Sequence, residues 1–307
     1  MDKRLLLVLN PAAGQRRANR WMPEIIRVCI DAGFRCETFV TARRGEATQF
    51  VQAHASEFDR VVCIGGDGTL NETIAGVMAS KADVPLGYIP AGSTNDYAAS
   101  LGLSSDCLQA ARDAVSCDPM PFDLGCFNGR FFTYTASCGA FTRASYSAPQ
   151  NVKNTLGHLA YILEGIRDLS SLHPYPMRVE ANGQVYEDEF LFLSVTNSTS
   201  VGGILKLDAR RVALNDGSFE VMLIRNPRSA GQLSSIVHAL STMEIPSDMV
   251  HFFSSPKIVV DGDEQVEWTL DGEHQSGAKH IEIENKHSVV RIAVNPNASA
   301  AEIEARA

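Results

Sequence analysis

Short apolar runs and amphipathic windows alternate along the first third of the chain. Leu5 to Leu9, Arg35 to Val40, Arg60 to Ile64 and Leu86 to Ile89 predict strands. The spacing between them predicts helices near Ala18 to Ala32, Glu46 to His54, Thr69 to Ala79 and Thr94 to Leu101. This alternation is the pattern of a mainly parallel sheet covered by helices, so the loops after the strands lie on the edge where such sheets bind ligands. From about Met120 the pattern changes. One helical window, Leu156 to Leu169, gives way to alternating segments at Val185 to Asn197, Phe219 to Ile224, Lys257 to Val260, Gln265 to Leu270 and Val289 to Val294, with a helix at Ser229 to Ser241. Turn signals at Asn182-Gly183, Asp216-Gly217, Asp261-Gly262 and Asp271-Gly272 divide these runs at hairpin-like intervals. The expected fold is therefore α/β, an N-terminal doubly wound domain over residues 1–121 and a larger, β-rich, antiparallel sandwich-like domain over 122–297, with a solvated tail over 298–307. A C-terminal segment packing back on the first domain is a further expectation.

Composition narrows the function classes. The 307 residues exceed the usual size of one compact domain, and 45% hydrophobic with 21% charged residues is the balance of a folded globular chain. The net charge of −9 argues against a nucleic-acid surface, which needs a basic footprint. No stretch approaches the run of roughly 18 apolar residues that a membrane span requires. Met1-Asp2-Lys3-Arg4 leads straight into a strand without a cleavage site, so a cytoplasmic protein is expected. Seven cysteines without paired or metal-like spacing fit a reducing compartment.

Three loops carry the chemistry. Gly65-Gly66-Asp67-Gly68 sits between a strand and a helix, where glycines let backbone amides approach a ligand and the helix N-terminus attracts negative charge. Asp67 inside it would repel phosphate unless a cation such as Mg²⁺ intervenes; alternatively it caps the helix through Thr69 or Leu70. Asn10-Pro11-Ala12-Ala13-Gly14 and Pro90-Ala91-Gly92-Ser93-Thr94-Asn95-Asp96 each follow a strand in the same way, although Asn-Pro is also an ordinary turn and Ser93 or Thr94 an ordinary helix cap. There is no Gly-x-x-x-x-Gly-Lys-Ser/Thr loop, and no Gly-x-Gly-x-x-Gly follows the first strand. Farther on, Asn215-Asp216-Gly217 has the composition of an ordinary hairpin turn, and Leu270-Asp271-Gly272-Glu273 brings two carboxylates, separated by a glycine, to one turn.

Gly65 to Glu72, the two flanking loops, Leu156-Gly157-His158-Leu159-Ala160-Tyr161, Asn215-Asp216-Gly217 and Leu270 to Glu273 together resemble the diacylglycerol kinase catalytic family of soluble bacterial lipid kinases. The resemblance covers nearly the whole chain. It implies an ATP-dependent lipid kinase with its active site in the cleft between the two domains, and Mg²⁺ as a second cofactor. It places ATP against Asn10, Pro11, Ala12, Ala13, Gly14, Thr41, Gly66, Asp67, Gly68, Thr69, Leu70, Asn71, Glu72 and Thr94, to which Gly65, Gly92 and Ser93 of the same loops are added. It implies a structural Mg²⁺ at Asp216 with the carbonyls of Ala213 and Ser218, and a link to Asp123. Glu273 is the implied proton acceptor and Asp271 an orienting or metal-binding partner, with Asp67 a competing base.

The acceptor side departs from the family. Gly202-Gly203 is followed by Ile204 rather than by a nearby proline, and Phe141, Tyr146 and Lys153 in the segment 139–156 could be pocket, core or surface. The resemblance further implies a lipid alcohol such as diacylglycerol met at a membrane surface, and a homodimer. A kinase of a soluble acceptor such as NAD, which shares a Gly-Gly-Asp-Gly loop, and a catalytically silent lipid-binding protein of the same fold are the rival readings.

Overall fold

The computed structural model describes residues 3–139, 173–198, 200–201, 205–206, 213–242, 245 and 247–296. The expected helix at 156–169, the acceptor segment around Phe141 to Lys153, the glycine pair 202–203 and the tail 298–307 lie outside the described residues. The chain divides into two compact units, Met1–Phe122 with Ser288–Ala307, and Asp123–His287.

In the first unit β1 (Lys3–Leu9), β2 (Phe34–Val40), β3 (Arg60–Gly65) and β4 (Leu86–Pro90) form a parallel sheet in the order β2-β1-β3-β4. Leu5 to Leu9, Val61 to Gly65 and all of β4 are buried, as the unbroken apolar runs of a sheet covered on both faces require. Helices α1 (Arg17–Asp31), α2 (Glu46–His54) and α3 (Asp67–Ser80) make the crossovers, followed by α4 (Asp96–Ser100) and α5 (Cys107–Ser116). Leu5, Leu7, Val62, Ile64 and Ile89 of the strands pack with Ile25 and Cys29 of α1 and Ala110, Ala111 and Ala114 of α5. α2 packs on α3. Because β1 leads to β2 on one side and β3 to β4 on the other, the winding reverses between β1 and β3. Their carboxyl ends flank the crevice in which open α/β sheets bind ligands.

The pattern missed α5, whose buried face is made of small residues, three of them alanine, although Asp106 caps it by accepting the Gln109 amide at 2.7 Å. The window Thr94 to Leu101 shortens to α4, because Asn95 lies at φ 53° in the left-handed region and delays the helix to Asp96.

The second unit is antiparallel. Its strands are β5 (Pro119–Phe127, entering from the first unit), β6 (Arg130–Phe132), β7 (Thr135–Gly139), β8 (Tyr175–Ala181), β9 (Gln184–Thr196), the short pair β10 (Ser200–Val201) and β11 (Leu205–Lys206), β12 (Phe219–Arg225), β13 (Val250–Ser255), β14 (Lys257–Gly262), β15 (Trp268–Leu270), β16 (Glu273–Gln275) and the first part of β17 (His280–Ala293), whose end from Ser288 onward belongs to the first unit, where Ile292 pairs parallel with Leu86 of β4; α6 (Ala230–Thr242) follows β12. The 13-residue β9 is the organiser: its first half pairs with β8, its second half with β7, and β12 runs along that second half. Phe132, Phe190, Leu193, Val195, Phe219, Val221, Ile258 and Trp268 fill the core.

Three hairpins turn on two residues with positive φ, Asn128-Gly129, Asn182-Gly183 and Asp271-Gly272, the left-handed geometry of type I′ loops. Asp261-Gly262, expected as a turn, instead ends β14, and the chain reverses at Asp263, whose carbonyl accepts the Val266 amide. That turn takes residues 265–267, so β15 begins at Trp268 rather than Gln265. β17 begins at His280, earlier than the expected Val289, with Ile281 and Ile283 facing the core between outward charged residues.

Candidate functional site

The three loops of the first unit meet at the switch point. The Asn10 amide donates to Ile64 O at 3.0 Å, the Asn10 side chain bridges the Ala12 amide and Thr69 Oγ1 at 3.0 Å each, and the Ala91 amide donates to Gly65 O at 2.7 Å. Thr41 closes the group by donating its amide (2.9 Å) and hydroxyl (3.3 Å) to Leu9 O. Two contacts leave room for backbone alone. A Cβ on Gly14, held at φ +49°, would lie 1.9 Å from Ala91 O, and one on Gly92 would lie 2.5 Å from Gly66 Cα and 2.6 Å from Asn95 Oδ1. Such a cradle is lined by main chain and small side chains. Replacing Gly92 by Ala is therefore expected to force the loops apart, with a modest fall in melting temperature, and, on the expectation from sequence that ATP binds here, to raise KM for ATP at least about tenfold. An unchanged KM would show that the close approach does not serve the nucleotide.

α3 starts at this edge with Gly66 as its N-cap and no side-chain cap, which leaves the helix N-terminus suited to an anion. Thr69 and Leu70 donate their amides to Gly66 O, so Asp67 does not cap its own helix through them. Its carboxylate, 8% exposed, turns to α4: Oδ2 accepts the Asp96 amide at 3.1 Å and the Thr94 hydroxyl at 3.5 Å, and Oδ1 accepts the Tyr97 amide at 3.2 Å. Asp67 thus ties the second loop to the third. Asn95, quoted in the loop but not counted among the site residues, locks that third loop by accepting the Gly92 amide at 2.8 Å and donating to Gly92 O at 3.0 Å. Glu72 points to the loop after β2, accepting the Gly45 amide at 2.8 Å.

In the second unit Asp271 occupies the first position of the β15–β16 turn at φ 50°. Its buried carboxylate accepts the Thr133 amide (2.6 Å), the Thr133 hydroxyl (2.8 Å), and the Tyr134 (2.9 Å) and Thr135 (3.1 Å) amides. Burial raises this carboxyl above the usual range, and the three amides work against that rise. Two residues on, Glu273 is 31% exposed in its side chain and accepts Arg130 Nη2 at 3.0 Å. The turn holds one acidic group by backbone and presents the other. Arg130 carried no sequence signal beyond following Asn128-Gly129.

Asp216 is exposed and accepts the Ser218 amide at 2.9 Å. Fully buried Asp123 reaches the same turn, taking the Gly217 amide on Oδ2 at 2.7 Å and meeting His287 Nδ1 through Oδ1 at 2.9 Å. Ser218 O accepts the Asn285 side chain at 3.1 Å, while Ala213 is exposed. Among the described residues Glu220 Oε2, Asn285 Oδ1 and Asn197 Oδ1 are buried without hydrogen-bond partners. Burial, with the charge of Asp216, pushes the Glu220 carboxyl up to about 8. Unpartnered hard oxygens beside an exposed carboxylate fit a magnesium ion. Among the described residues no group of three or more His, Cys, Asp or Glu side chains could hold a metal, so backbone carbonyls would complete such a site.

The comparisons with known proteins bear on the family and the fold. The family profile for the diacylglycerol kinase catalytic domain matches residues 4–127, and that for the YegS C-terminal NAD kinase beta sandwich-like domain matches 135–294. The diacylglycerol kinase of Bacillus subtilis is 33% identical over 274 residues, 89% of this chain and 90% of that protein. That of Staphylococcus carnosus is 30% identical over 278 residues, with the same two shares covered. A crystal structure of a diacylglycerol kinase from Bacillus anthracis superposes with TM-score 0.73 at 24% identity, covering 97% of this chain and 98% of its own. An NAD kinase from Archaeoglobus fulgidus in complex with ATP gives 0.58 at 13%, covering 98% and 97%. These two show the fold. The class is that of kinases with an α/β domain followed by a β-sandwich domain. The chain belongs to the diacylglycerol kinase catalytic-domain family.

Proposed function

We propose that this protein transfers the γ-phosphate of ATP to the hydroxyl of a lipid alcohol, diacylglycerol foremost, giving a phosphatidate-type product. The observation that carries the reading is the backbone-lined cradle made by the loops after β1, β3 and β4 at the sheet's switch point; relatives named diacylglycerol kinase support the acceptor class. In this reading Asn10 to Gly14, Thr41, Gly65 to Thr69 and Gly92 to Thr94 receive the nucleotide, with the α3 N-terminus directed at phosphate. Leu70, Asn71 and Glu72 support that loop from within α3. Asp67 organises the loops, because α4 engages both its oxygens. Glu273 accepts the hydroxyl proton, and Asp271 sets the turn that carries it. Magnesium bound with the nucleotide would neutralise phosphate charge during transfer.

Asp216, with the carbonyls of Ala213 and Ser218, is proposed to hold a structural magnesium, while Asp123 braces the turn from behind. Added Mg²⁺ is then expected to raise the melting temperature of the wild type by several degrees; saturation at 100 times Kd is worth about 2.7 kcal/mol. In Asp216→Asn the shift should shrink or vanish. An equal shift in both proteins would place the ion elsewhere.

Described helices include none long and apolar enough to cross a membrane, and the seven cysteines are free thiols. Action at a cytoplasmic membrane surface fits both facts. The test is transfer of labelled phosphate from ATP to a panel of lipid alcohols dispersed in detergent micelles, with NAD alongside. The NAD arm follows from the shared sandwich domain and the likeness to an NAD kinase fold. Labelled lipid and unlabelled NAD is the expected result. Labelled NAD alone would reverse the acceptor assignment, and nucleotide-independent lipid binding without transfer would favour a silent member of the fold.

A further inference from the structure

We propose that Arg130 is a positioning residue for the transfer reaction, acting through Glu273; the inference rests on the reading of Glu273 as proton acceptor. Arg130 opens β6 immediately after the Asn128-Gly129 turn, and its guanidinium spans two side chains of β16. Nη2 donates to Glu273 Oε2 at 3.0 Å and Nη1 to Gln275 Oε1 at 2.7 Å. Glu273 and Gln275 are alternate residues of one strand and so project from the same face. A guanidinium presents its donors in a fixed planar fork, one to each acceptor, which sets the direction of the carboxylate as well as its neighbour; a lysine ammonium can bridge two acceptors, as Lys257 does between Glu282 and Glu284, but as a point charge with freely rotating donors.

The place needs such a brace. β16 is three residues long and, among the described residues, ends the strand order, pairing with β15 alone, so its side chains gain little orientation from a described sheet neighbour on the far side. The stretch that begins at Arg130 continues into Thr133 to Thr135, which hold the Asp271 carboxylate at the head of the same hairpin. One run of six residues thus sets both acidic groups of the turn, by backbone at Asp271 and by side chain at Glu273. Fold stability is a minor part of what the pair does, because the two partners are 38% and 31% exposed and an ion pair in such contact with water adds little. Its effect falls on where the carboxylate points, and misplacing a catalytic group by about an ångström lowers rates by as much as a hundredfold.

The test uses the full chain with ATP and dioleoylglycerol micelles, comparing Arg130→Ala, Arg130→Lys, Glu273→Gln and the double variant Arg130→Ala with Glu273→Gln. Arg130→Ala is expected to lower kcat by about tenfold to a hundredfold, with KM for ATP and the melting temperature unchanged, and Arg130→Lys to recover only part of the loss. In the Glu273→Gln background, removing Arg130 should cost nothing further, because its partner's function is already gone. An additive loss in the double variant, or wild-type kcat in Arg130→Ala, overturns the proposal while leaving Glu273 as the base. Full turnover in Glu273→Gln overturns both.

Discussion

Glu273→Ala is expected to lower kcat by about a hundredfold to a thousandfold while leaving KM for ATP near its wild-type value. The range is that of a general base removed from a proton transfer, and phosphoryl transfer belongs toward the lower end because most of its catalysis is positioning and charge neutralisation. The split between the two constants follows from the fold. Glu273 belongs to the β15–β16 hairpin of the second unit, whereas the loops that close the cradle, with Gly14, Gly66 and Gly92 in backbone contact, belong to the first. Steady-state rates of labelled phosphate transfer measure both constants. A variant with undiminished kcat removes Glu273 from the chemistry; a raised KM with unchanged kcat makes it a binding residue.

Asp271→Ala should act on a different quantity. It strips the acceptor from three backbone amides and one hydroxyl that the structure buries, and it puts alanine at φ 50°, which Asp tolerates better than Ala. Buried donors left unsatisfied and a strained turn together are expected to destabilise the protein by about 3 to 5 kcal/mol. For a protein of this size that lowers the melting temperature by about 5 to 8 °C. Asp271→Asn keeps the left-handed turn and one acceptor oxygen, so it should fall between wild type and Ala. Thermal unfolding of the three proteins decides the matter, and equal stability of Asp271→Ala and wild type would show that the four hydrogen bonds do not hold the hairpin. The same measurement separates Asp271 from Glu273, whose loss should leave the melting temperature almost unmoved because its side chain keeps solvent contact.

Some of this architecture was legible residue by residue. β1, β3 and β4 of the first unit carry apolar runs because both their faces are covered, whereas the edge strand β2 alternates with Arg35, Glu37 and Thr38. α2 runs from Glu46 to His54, the window read from its periodicity. Asn182-Gly183 and Asp271-Gly272 turn their hairpins because Asn, Asp and Gly are the residues that accept positive φ, a local property of each residue type. Where the local signal was thin the reading slipped. The buried face of α5 is made of small residues, three of them alanine, the first half of β17 alternates isoleucine with charges that look like loop, and Asp261-Gly262 satisfies a turn's composition while β14 continues through it.

The sequence by itself determined the alternation of strands and helices over the first hundred residues, the glycine-bearing loops at strand ends and the carboxylates available to them, since period and backbone preference are written into neighbouring residues. Which carboxylate is bound up and which is presented was decided only in three dimensions. Asp67 looked like a phosphate-loop acid and is engaged by amides about 30 residues away, while Asp271 and Glu273, two positions apart, find respectively Thr133 at 138 residues' distance and Arg130 at 143. A short motif holds no record of partners so remote; the partner decides whether a carboxylate braces a turn or faces a substrate, and folding alone brings the two together.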